Sequence, residues 1–215
     1  METVLLHSCC APCSAAILEW MLAHDIRPVV YYYNPNIFPR DEYEKRKAEI
    51  TRHCERLGVE VVDGDWDHKE WLASVRGLEH EPERGERCSV CFTVRLKGAA
   101  KYAHERGIRR FTTTLAASRW KSLDQVAAAG RLAASEYEDV EYWDNNWRKG
   151  GLQDRRNALL KEFAFYNQTW CGCEFSYRDT KIREAKKKAE QEAAEKAARE
   201  SAEKLIPTGA EKAAL

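Results

Sequence analysis

Short apolar segments alternate with helix-forming segments along the first 143 residues, and no other feature of the chain constrains its fold as strongly. The apolar segments predict five β-strands, over residues 4–6, 28–33, 59–62, 110–114 and 140–143. The segments between them predict helices over residues 15–22, 41–57, 67–75, 88–106 and 123–135. Strands that alternate with helices predict an α/β fold, with a doubly wound, mostly parallel sheet and helices on both faces.

The carboxyl ends of the predicted strands indicate where a ligand would bind, because an open parallel sheet binds its ligands at that edge. Polar segments follow three of the strands directly. Cys9 and its neighbours follow the first strand, residues 34–36 follow the second, and residues 112–118 end the fourth. We expect these loops to share one rim of the sheet.

Seven of the eight cysteines fall into three tight clusters: Cys9, Cys10 and Cys13, then Cys88 and Cys91, then Cys171 and Cys173. The sequence has no signal-peptide pattern at Met1 and no apolar stretch of the roughly 18 residues that span a membrane, so we expect a cytoplasmic protein. Thiols are kept reduced there, and clustered cysteines therefore indicate a metal or redox site rather than structural disulfides. Cys54, alone in a charged helical segment, is expected to be an ordinary buried thiol.

The surroundings of each cluster favour thiolate chemistry. Cys13 lies at a predicted helix start, where the helix dipole lowers the pKa of a thiol. Cys88 and Cys91 are three residues apart at another helix start and can present both sulfurs on one face. The glycine between Cys171 and Cys173 allows both sulfurs to face one way or to form a strained, easily reduced disulfide. Seven thiols exceed the ligands of one structural zinc ion, which favours an iron–sulfur centre over zinc.

The 35 basic and 35 acidic residues cancel, so no overall charge attracts a nucleic acid, and any RNA contact would depend on a local patch. The loop after the fifth strand mixes aromatic, basic and glycine residues, which could stack a splayed base and hold phosphates. Its candidate RNA-contact residues are Trp147, Arg148, Lys149, Arg155 and Arg156. The alternative is an ordinary surface loop with aromatic packing.

Three further patterns limit the domain organisation and the function. Residues 1–180 are expected to form a single domain, and residues 181–215 a charged helical tail, partly disordered, whose helix ends near Pro207. No glycine-rich phosphate loop occurs, so the sequence does not support bound ATP or a dinucleotide. His7, beside the first cysteines, is the one histidine that is a candidate for a role in the site.

Five ordered motifs resemble those of the epoxyqueuosine reductase family QueH. The motifs are His7-Ser8-Cys9-Cys10-Ala11-Pro12-Cys13, Tyr33-Asn34-Pro35-Asn36-Ile37, Arg87-Cys88-Ser89-Val90-Cys91-Phe92 with Arg95-Leu96, Thr112-Thr113-Thr114-Leu115 and Gln168-Thr169-Trp170-Cys171-Gly172-Cys173. The resemblance spans residues 3–178. It implies a Rossmann-like (HUP-type) catalytic domain with a [4Fe-4S] cluster and an additional mononuclear iron. The implied reaction is the two-electron removal of the epoxide oxygen from epoxyqueuosine in the anticodon loop of tRNA, the last step of queuosine biosynthesis.

The resemblance also implies a role for each clustered cysteine. Four of them are the expected ligands of the [4Fe-4S] cluster: Cys9, Cys10, Cys88 and Cys91. The other three are the expected catalytic residues. Cys13 would bind the neighbouring iron or serve as an additional thiolate, and Cys171 and Cys173 would form a redox-active pair, able to form a disulfide bond close to the substrate.

The chain departs from the family pattern at residues 118–122 and at Trp170, which bears on substrate contacts rather than on the chemistry. Two other functions stay open: a zinc-stabilised RNA-binding module and a thiol-disulfide oxidoreductase. A brown protein would indicate an iron–sulfur cluster, and a colourless zinc protein the binding module. Activity that survives complete metal removal would indicate the oxidoreductase.

Overall fold

Five parallel strands form one sheet in the part of the chain that the computed structural model describes, residues 1–204. The strands are β1 Glu2–His7, β2 Ile26–Tyr32, β3 Glu60–Asp63, β4 Arg110–Thr113 and β5 Glu141–Tyr142. Their order in the sheet is β3-β2-β1-β4-β5, and every neighbouring pair is parallel. The winding direction changes between β1 and β4, as in a Rossmann-like fold. The predicted α/β fold class is confirmed.

Seven α-helices and one 3-10 helix flank the sheet within residues 1–204. They are α1 Ala11–Ala23, α2 Arg40–Leu57, α3 His68–Ser74, α4 Glu86–Glu105, α5 Leu123–Ala134, α6 Leu152–Glu162 and α7 Glu174–Lys204, with the 3-10 helix over Thr114–Ala117. Helix α1 packs against α2 and α6, whereas α4 packs against α3 and α5. Residues 4–6 of β1 are fully buried, as expected for a parallel sheet covered by helices on both faces.

Helix α6 is an element that the sequence pattern did not predict. Leu159 is its one buried side chain among the described residues, so its amphipathic signal is weak. Gly150 and Gly151 precede the helix with φ values of +65° and +78°, a conformation that glycine adopts without strain. The turn directs α6 back onto α1, so the segment predicted as a loop closes against the helical layer.

Helix α7 begins inside the folded domain and continues into the charged tail. Phe175, Ser176 and Thr180 are buried, whereas residues 181–201 are exposed. Exposed pairs along the tail, such as Lys188 with Glu192 at 3.7 Å, contribute about 0.3–0.5 kcal/mol each at most. The predicted helix end near Pro207 lies outside the described residues. No helix in the described range is both long and apolar enough to cross a membrane.

Tyr33, the residue after β2, is enclosed by two glycines that leave no room for a side chain. A Cβ atom on Gly98 of α4 would lie 2.5 Å from Cε1 of the Tyr33 ring, and one on Gly64 would lie 2.8 Å from its Cδ2. The ring also stacks on Tyr31, with 5.7 Å between centroids, so it is restrained on several sides. This packing fixes the backbone of Tyr33 at the rim, where its carbonyl oxygen contacts His7 at 3.0 Å.

Replacing Gly98 by alanine is expected to destabilise the protein, although alanine is favoured in a helix by about 1 kcal/mol. An added methyl group in a filled space costs about 1–3 kcal/mol, which exceeds that gain. The free energy of unfolding from urea titration measures the net effect. In a Tyr33→Ala background the ring is gone, so Gly98→Ala should become neutral or stabilising. Equal destabilisation in both backgrounds would contradict this account of the packing.

Candidate metal and redox centre

The turn from β1 into α1 assembles the first cysteine cluster. Cys9 follows β1, Cys10 precedes α1 in an extended conformation (φ −176°, ψ 161°), and Cys13 lies in the first turn of the helix. The three sulfurs lie within 4.8 Å of one another, and those of Cys9 and Cys10 are 3.8 Å apart. Thr114, directly after β4, accepts a hydrogen bond from the Cys9 amide at 3.2 Å and donates one to its Sγ at 3.4 Å. The adjacent strands β1 and β4 therefore position this cluster.

In the first cluster, one cysteine is a thiolate at neutral pH and the other two keep their protons. Hydrogen bonds from Cys10 and Cys13, helped by the Arg95 guanidinium, hold the pKa of Cys9 well below its ordinary value despite burial. Burial raises the pKa of Cys10 well above its ordinary value. The hydrogen bond with Cys10 lowers the pKa of Cys13, but donation to Cys9 and burial outweigh it and raise this pKa to about 12. A soft metal that binds all three sulfurs would displace two protons.

The second cluster lies in the first two turns of α4. The backbone amide of Arg84 donates a hydrogen bond to Cys88 Sγ at 3.3 Å. Cys91 is buried in a small apolar cluster that includes Cys173. Burial raises the pKa of Cys88 to about 11 and raises that of Cys91, and the nearby charge of Cys171 adds to both shifts. The second cluster therefore lies beside the third.

Cys171 and Cys173 form a dithiol at the entry to α7. Their Sγ atoms are 3.8 Å apart. Gly172 between them has a φ of +118°, and its carbonyl oxygen accepts a hydrogen bond from the Phe38 amide at 2.8 Å. A hydrogen bond from Cys173 and the charge of Lys121 lower the pKa of Cys171 to about 5 although burial opposes them. The interaction with Cys171 raises the pKa of Cys173, so at neutral pH the pair shares one proton.

Three cationic side chains compensate the negative charge of the sulfurs: Arg46 of α2, Arg95 of α4 and Lys121 of the loop before α5. The two arginines are buried and Lys121 is half-buried. Burial by itself lowers the pKa of Lys121, but attraction to Cys171 and Cys9 outweighs it, so the pKa is raised and the ammonium keeps its proton. Lys121 also interacts with Cys13 and thereby connects the first and third clusters.

Arg46 anchors the loop that carries the third cluster. Its Nε donates a hydrogen bond to Glu42 at 2.6 Å, and its Nη atoms donate to the carbonyl oxygens of Cys171 at 3.3 Å and Trp170 at 3.4 Å. One turn further along α2, Glu49 accepts a hydrogen bond from the backbone amide of residue 166 at 2.7 Å. A row of buried charged side chains on α2 therefore holds residues 166–172 in place.

The sequence patterns assigned none of these three cations a role in the site, although Arg95 belongs to the third of the five motifs. Arg95 follows Cys91 by four residues, so both lie on one face of α4, and this spacing was an available signal. Lys121 stands in the segment 118–122, directly after a predicted rim loop. Arg46 is one charge among many in α2, and nothing in the sequence separates it from its exposed neighbours.

His7 has a structural role at the rim. Its Nδ1 lies 2.8 Å from Thr113 Oγ1 and its Nε2 lies 3.0 Å from the Tyr33 carbonyl oxygen. Because a carbonyl oxygen only accepts, Nε2 carries the proton and Nδ1 accepts from the threonine. Burial and the charge of Arg95 lower the pKa of His7 to about 3, so the ring is neutral. With both nitrogens engaged, His7 is not available as a metal ligand.

Trp147 is buried, so its predicted role in RNA contact is wrong. The residue is 1% exposed, and its Nε1 donates a hydrogen bond to Thr112 Oγ1 at 3.1 Å. Trp20 and Trp143 pack against its ring, with centroids 5.5 Å and 5.1 Å away. An indole enclosed in this way offers no free face to a nucleobase. The aromatic residues of this loop contribute to the hydrophobic core instead.

The basic residues predicted to contact RNA differ in their surroundings. Arg148 donates hydrogen bonds to backbone carbonyl oxygens of the loop 118–121, and Arg155 forms a bidentate ion pair with Glu19 at 2.6 Å and 2.8 Å. Both guanidinium groups therefore have partners within the protein, although Arg155 is exposed and Arg148 is half-buried. RNA contact stays a prediction for all four basic residues: Arg148, Lys149, Arg155 and Arg156.

The second and third cysteine clusters pack together, because Cys91, Cys171 and Cys173 belong to one small apolar cluster. Lys121 interacts with both the first and the third cluster, so all three lie near the carboxyl edge of the sheet. Within residues 1–204, the first cluster is the one group of three potential metal ligands that are mutually this close. Thiolates suit soft metals and are the usual ligands of iron–sulfur clusters. The donor chemistry of the site therefore fits such a centre.

The chain is similar to known proteins over most of its folded part. The model of a family described as "Epoxyqueuosine reductase QueH" matches residues 4–179. The epoxyqueuosine reductase QueH of Histophilus somni (strain 129Pt) is 48% identical over 190 residues, which are 88% of this chain and 78% of that protein. The protein of the same description from Thermotoga maritima is 33% identical over 189 residues, 86% of this chain and 96% of that protein. Among solved structures, U34-tRNA thiolase NcsA from Methanococcus maripaludis with its [4Fe-4S] cluster aligns with a TM-score of 0.47 and 15% identity, over 87% of this chain and 66% of that chain.

Proposed function

The chain belongs to the epoxyqueuosine reductase QueH family, and we propose on that premise that it reduces epoxyqueuosine in tRNA to queuosine. Family membership confirms the resemblance drawn from the five motifs. The observation that carries the proposal is the close approach of the Cys9, Cys10 and Cys13 sulfurs, within 4.8 Å of one another, together with Lys121, which interacts with this cluster and with Cys171. The reaction is assigned to the cytoplasm, where such thiols stay reduced.

The proposed reaction consumes two electrons and two protons. Both bonds from carbon to the epoxide oxygen break, a carbon–carbon double bond forms, and the oxygen leaves as water. The site must therefore deliver electrons to the substrate and protons to the departing oxygen. Positively charged groups at the oxygen lower the barrier because negative charge develops there.

Four cysteines are proposed as ligands of a [4Fe-4S] cluster: Cys9, Cys10, Cys88 and Cys91. Cys13 is proposed to bind an additional iron, and its sulfur lies within 4.8 Å of the first two. When bound, such a centre would pass electrons to the substrate one at a time, and an iron with an open position would polarise the epoxide oxygen. Arg95 and Arg46 offset the charge of the ligand thiolates, which supports this assignment.

Lys121 is proposed as the group that delivers a proton to the departing oxygen. Its ammonium interacts with the first and third clusters and keeps its proton, because the sulfur charges outweigh the effect of burial. An ammonium next to a developing alkoxide stabilises the negative charge and then transfers its proton as a general acid.

Cys171 and Cys173 are proposed to supply the electron pair. Oxidation of the pair, one thiolate and one thiol, to a disulfide releases two electrons and one proton, and Lys121 supplies the second proton that the reaction consumes. The Sγ atoms would approach from 3.8 Å to the disulfide length of about 2.05 Å. Gly172 gives the intervening backbone the freedom for that approach. An external reductant then returns the disulfide to the dithiol.

The proposed activity is tested by anaerobic incubation of the cluster-loaded protein with tRNA carrying epoxyqueuosine and dithionite, followed by nucleoside analysis. Queuosine is expected to appear as epoxyqueuosine disappears. Unchanged epoxyqueuosine with a fully loaded cluster would overturn the assignment. Turnover by the metal-free protein would favour the thiol-disulfide oxidoreductase, and a colourless zinc protein without turnover would favour the RNA-binding module.

A further inference from the structure

Trp120 is a large aromatic side chain that the protein leaves open to solvent. It is 67% exposed, whereas the other six tryptophans are buried or half-buried. An exposed indole of this size is more typical of a binding surface than of a protein face that stays in water. It lies in the loop after the 3-10 helix that follows β4, at the same edge of the sheet as the cysteines.

The backbone of the loop around Trp120 is held by two guanidinium groups. Arg84 donates hydrogen bonds to the carbonyl oxygens of Trp120 at 2.9 Å and Arg119 at 3.1 Å. Arg148 donates to the carbonyl oxygens of Ser118 and Lys121, the latter at 2.7 Å. The loop lacks regular structure, yet four consecutive carbonyl groups are fixed from outside. The backbone that carries the indole is therefore held in place before binding, which lowers the entropic cost of ordering the loop.

The same contacts place Trp120 at the opening of the thiol site. Arg84 bonds to the Trp120 carbonyl through its side chain and to Cys88 Sγ through its backbone amide, at 3.3 Å. The next residue, Lys121, is half-buried and interacts with the sulfurs of Cys9 and Cys171. Consecutive Cα atoms are about 3.8 Å apart. Trp120 therefore lies at the solvent side of the cysteine centre, whereas the Lys121 side chain extends into it.

The charges around Trp120 indicate what kind of group covers it. The Arg119 guanidinium lies 5.1 Å from the centroid of the Trp120 ring, and both Arg119 and Arg84 are exposed. An aromatic face beside two cations is suited to a polyanion that carries flat rings, because it can stack a base and neutralise a phosphate. An apolar protein surface would cover both charges without neutralising either of them.

We propose that Trp120 stacks on a nucleobase adjacent to the modified base of the anticodon loop, with Arg119 at the neighbouring phosphate. This inference rests on the proposed function, since it takes tRNA as the substrate. Lys121 and Trp120 are consecutive, so they contact adjacent nucleotides: Lys121 the one inside the site and Trp120 the one at its opening. The stack holds the anticodon loop in the register that brings the epoxide to the sulfurs.

The first test measures binding of the cluster-loaded protein to an unmodified anticodon stem-loop RNA by fluorescence anisotropy. Trp120→Ala is expected to weaken binding about ten- to a hundredfold, the effect of losing one stacked base. Trp120→Phe keeps an aromatic face and should retain most of the affinity. Ile182→Ala, which removes another exposed apolar side chain (61%) from the tail helix, is the matched control and should bind like the parental protein.

The second test replaces each nucleotide of the anticodon loop in turn by an abasic one. At one position, the abasic RNA should bind the parental protein as weakly as the intact RNA binds the Trp120→Ala variant. The Trp120→Ala variant should bind that abasic RNA no more weakly than the parental protein does, because the stack is already lost. The proposal would be overturned if Trp120→Ala weakened the binding of every abasic RNA by the same factor. It would also be overturned if Trp120→Ala left the affinity for the intact RNA unchanged.

Turnover distinguishes this inference from the proposed function. Trp120→Ala should raise KM for epoxyqueuosine-bearing tRNA and leave kcat at saturating tRNA unchanged, because the residue binds and does not react. Unimpaired binding by Trp120→Ala with normal parental turnover would refute the stacking alone. Trp120-dependent binding with no parental turnover would refute the reductase activity alone. A parental protein that does not bind the RNA would refute both.

Discussion

Replacing Cys171 or Cys173 by serine is expected to lower the turnover of epoxyqueuosine in tRNA by at least about a thousandfold. Serine keeps the size of the side chain but forms no disulfide, so the electron pair assigned to the dithiol is lost. The two sulfurs are 3.8 Å apart and share one proton, so each depends on the other. The single and double variants should therefore lose activity to a similar extent. Nucleoside analysis after anaerobic reaction measures the loss.

Iron and sulfide content identify the cause of that loss. They should match the parental values in both serine variants, since the cluster is assigned to other cysteines. Cys54→Ala is the control, because Cys54 lies alone in the core of α2, apart from the seven clustered sulfurs. If the double variant had the parental iron content and the parental turnover, the proposed role of the pair as electron donor would be wrong. Loss of iron together with activity would instead make these cysteines ligands.

Replacing Lys121 by methionine is expected to reduce kcat by about a hundred- to a thousandfold, the usual cost of removing one group that stabilises a developing oxyanion. Methionine keeps the length and apolar stem of the lysine but has no charge and no proton to donate. Lys121→Arg keeps the charge and should retain more activity than Lys121→Met. Lys187→Met, an exposed lysine of α7, is the control and should leave kcat unchanged.

A second readout separates the charge of Lys121 from a packing role. The ammonium helps to lower the pKa of Cys171 to about 5, so its removal should raise that pKa. The pH dependence of Cys171 alkylation in the metal-free protein should therefore shift to higher pH in Lys121→Met. It should stay near the parental profile in Lys121→Arg. Identical profiles in all three proteins would contradict the proposed electrostatic contact.

The departure of residues 118–122 from the family pattern coincides with one loop of the site. Its backbone is held by Arg84 and Arg148, its Lys121 side chain interacts with the sulfurs, and its Trp120 side chain is exposed. The sequence pointed to this segment as a difference in substrate contacts. In the structure one loop carries both a proposed proton donor, Lys121, and a proposed stacking residue, Trp120. Substitution of Lys121 is therefore expected to lower kcat, and substitution of Trp120 to raise KM.

The sheet could be predicted from the sequence because its strands are short apolar runs bounded by polar turns. β1 and β2 are almost fully buried, and each was found as such a run. Helix α6 could not be predicted in the same way, since one buried side chain leaves little periodicity. Its place on α1 depends on the two glycines that turn the chain before it. The strands are therefore predictable from the local sequence pattern, whereas the position of α6 depends on long-range packing.

The sequence by itself determined the α/β fold class, the seven clustered cysteines and the family, because these depend on residue type and spacing along the chain. Only the tertiary structure decided which side chains face the site and which are enclosed. Trp147 and Trp120 both lie in polar loops at the rim, yet one is 1% and the other 67% exposed. Lys121 and Arg46, which lie far apart in the chain, likewise interact with the cysteine sulfurs only because the fold brings them there. Burial and charge pairing depend on segments far apart in the chain, and spacing within one segment does not encode them.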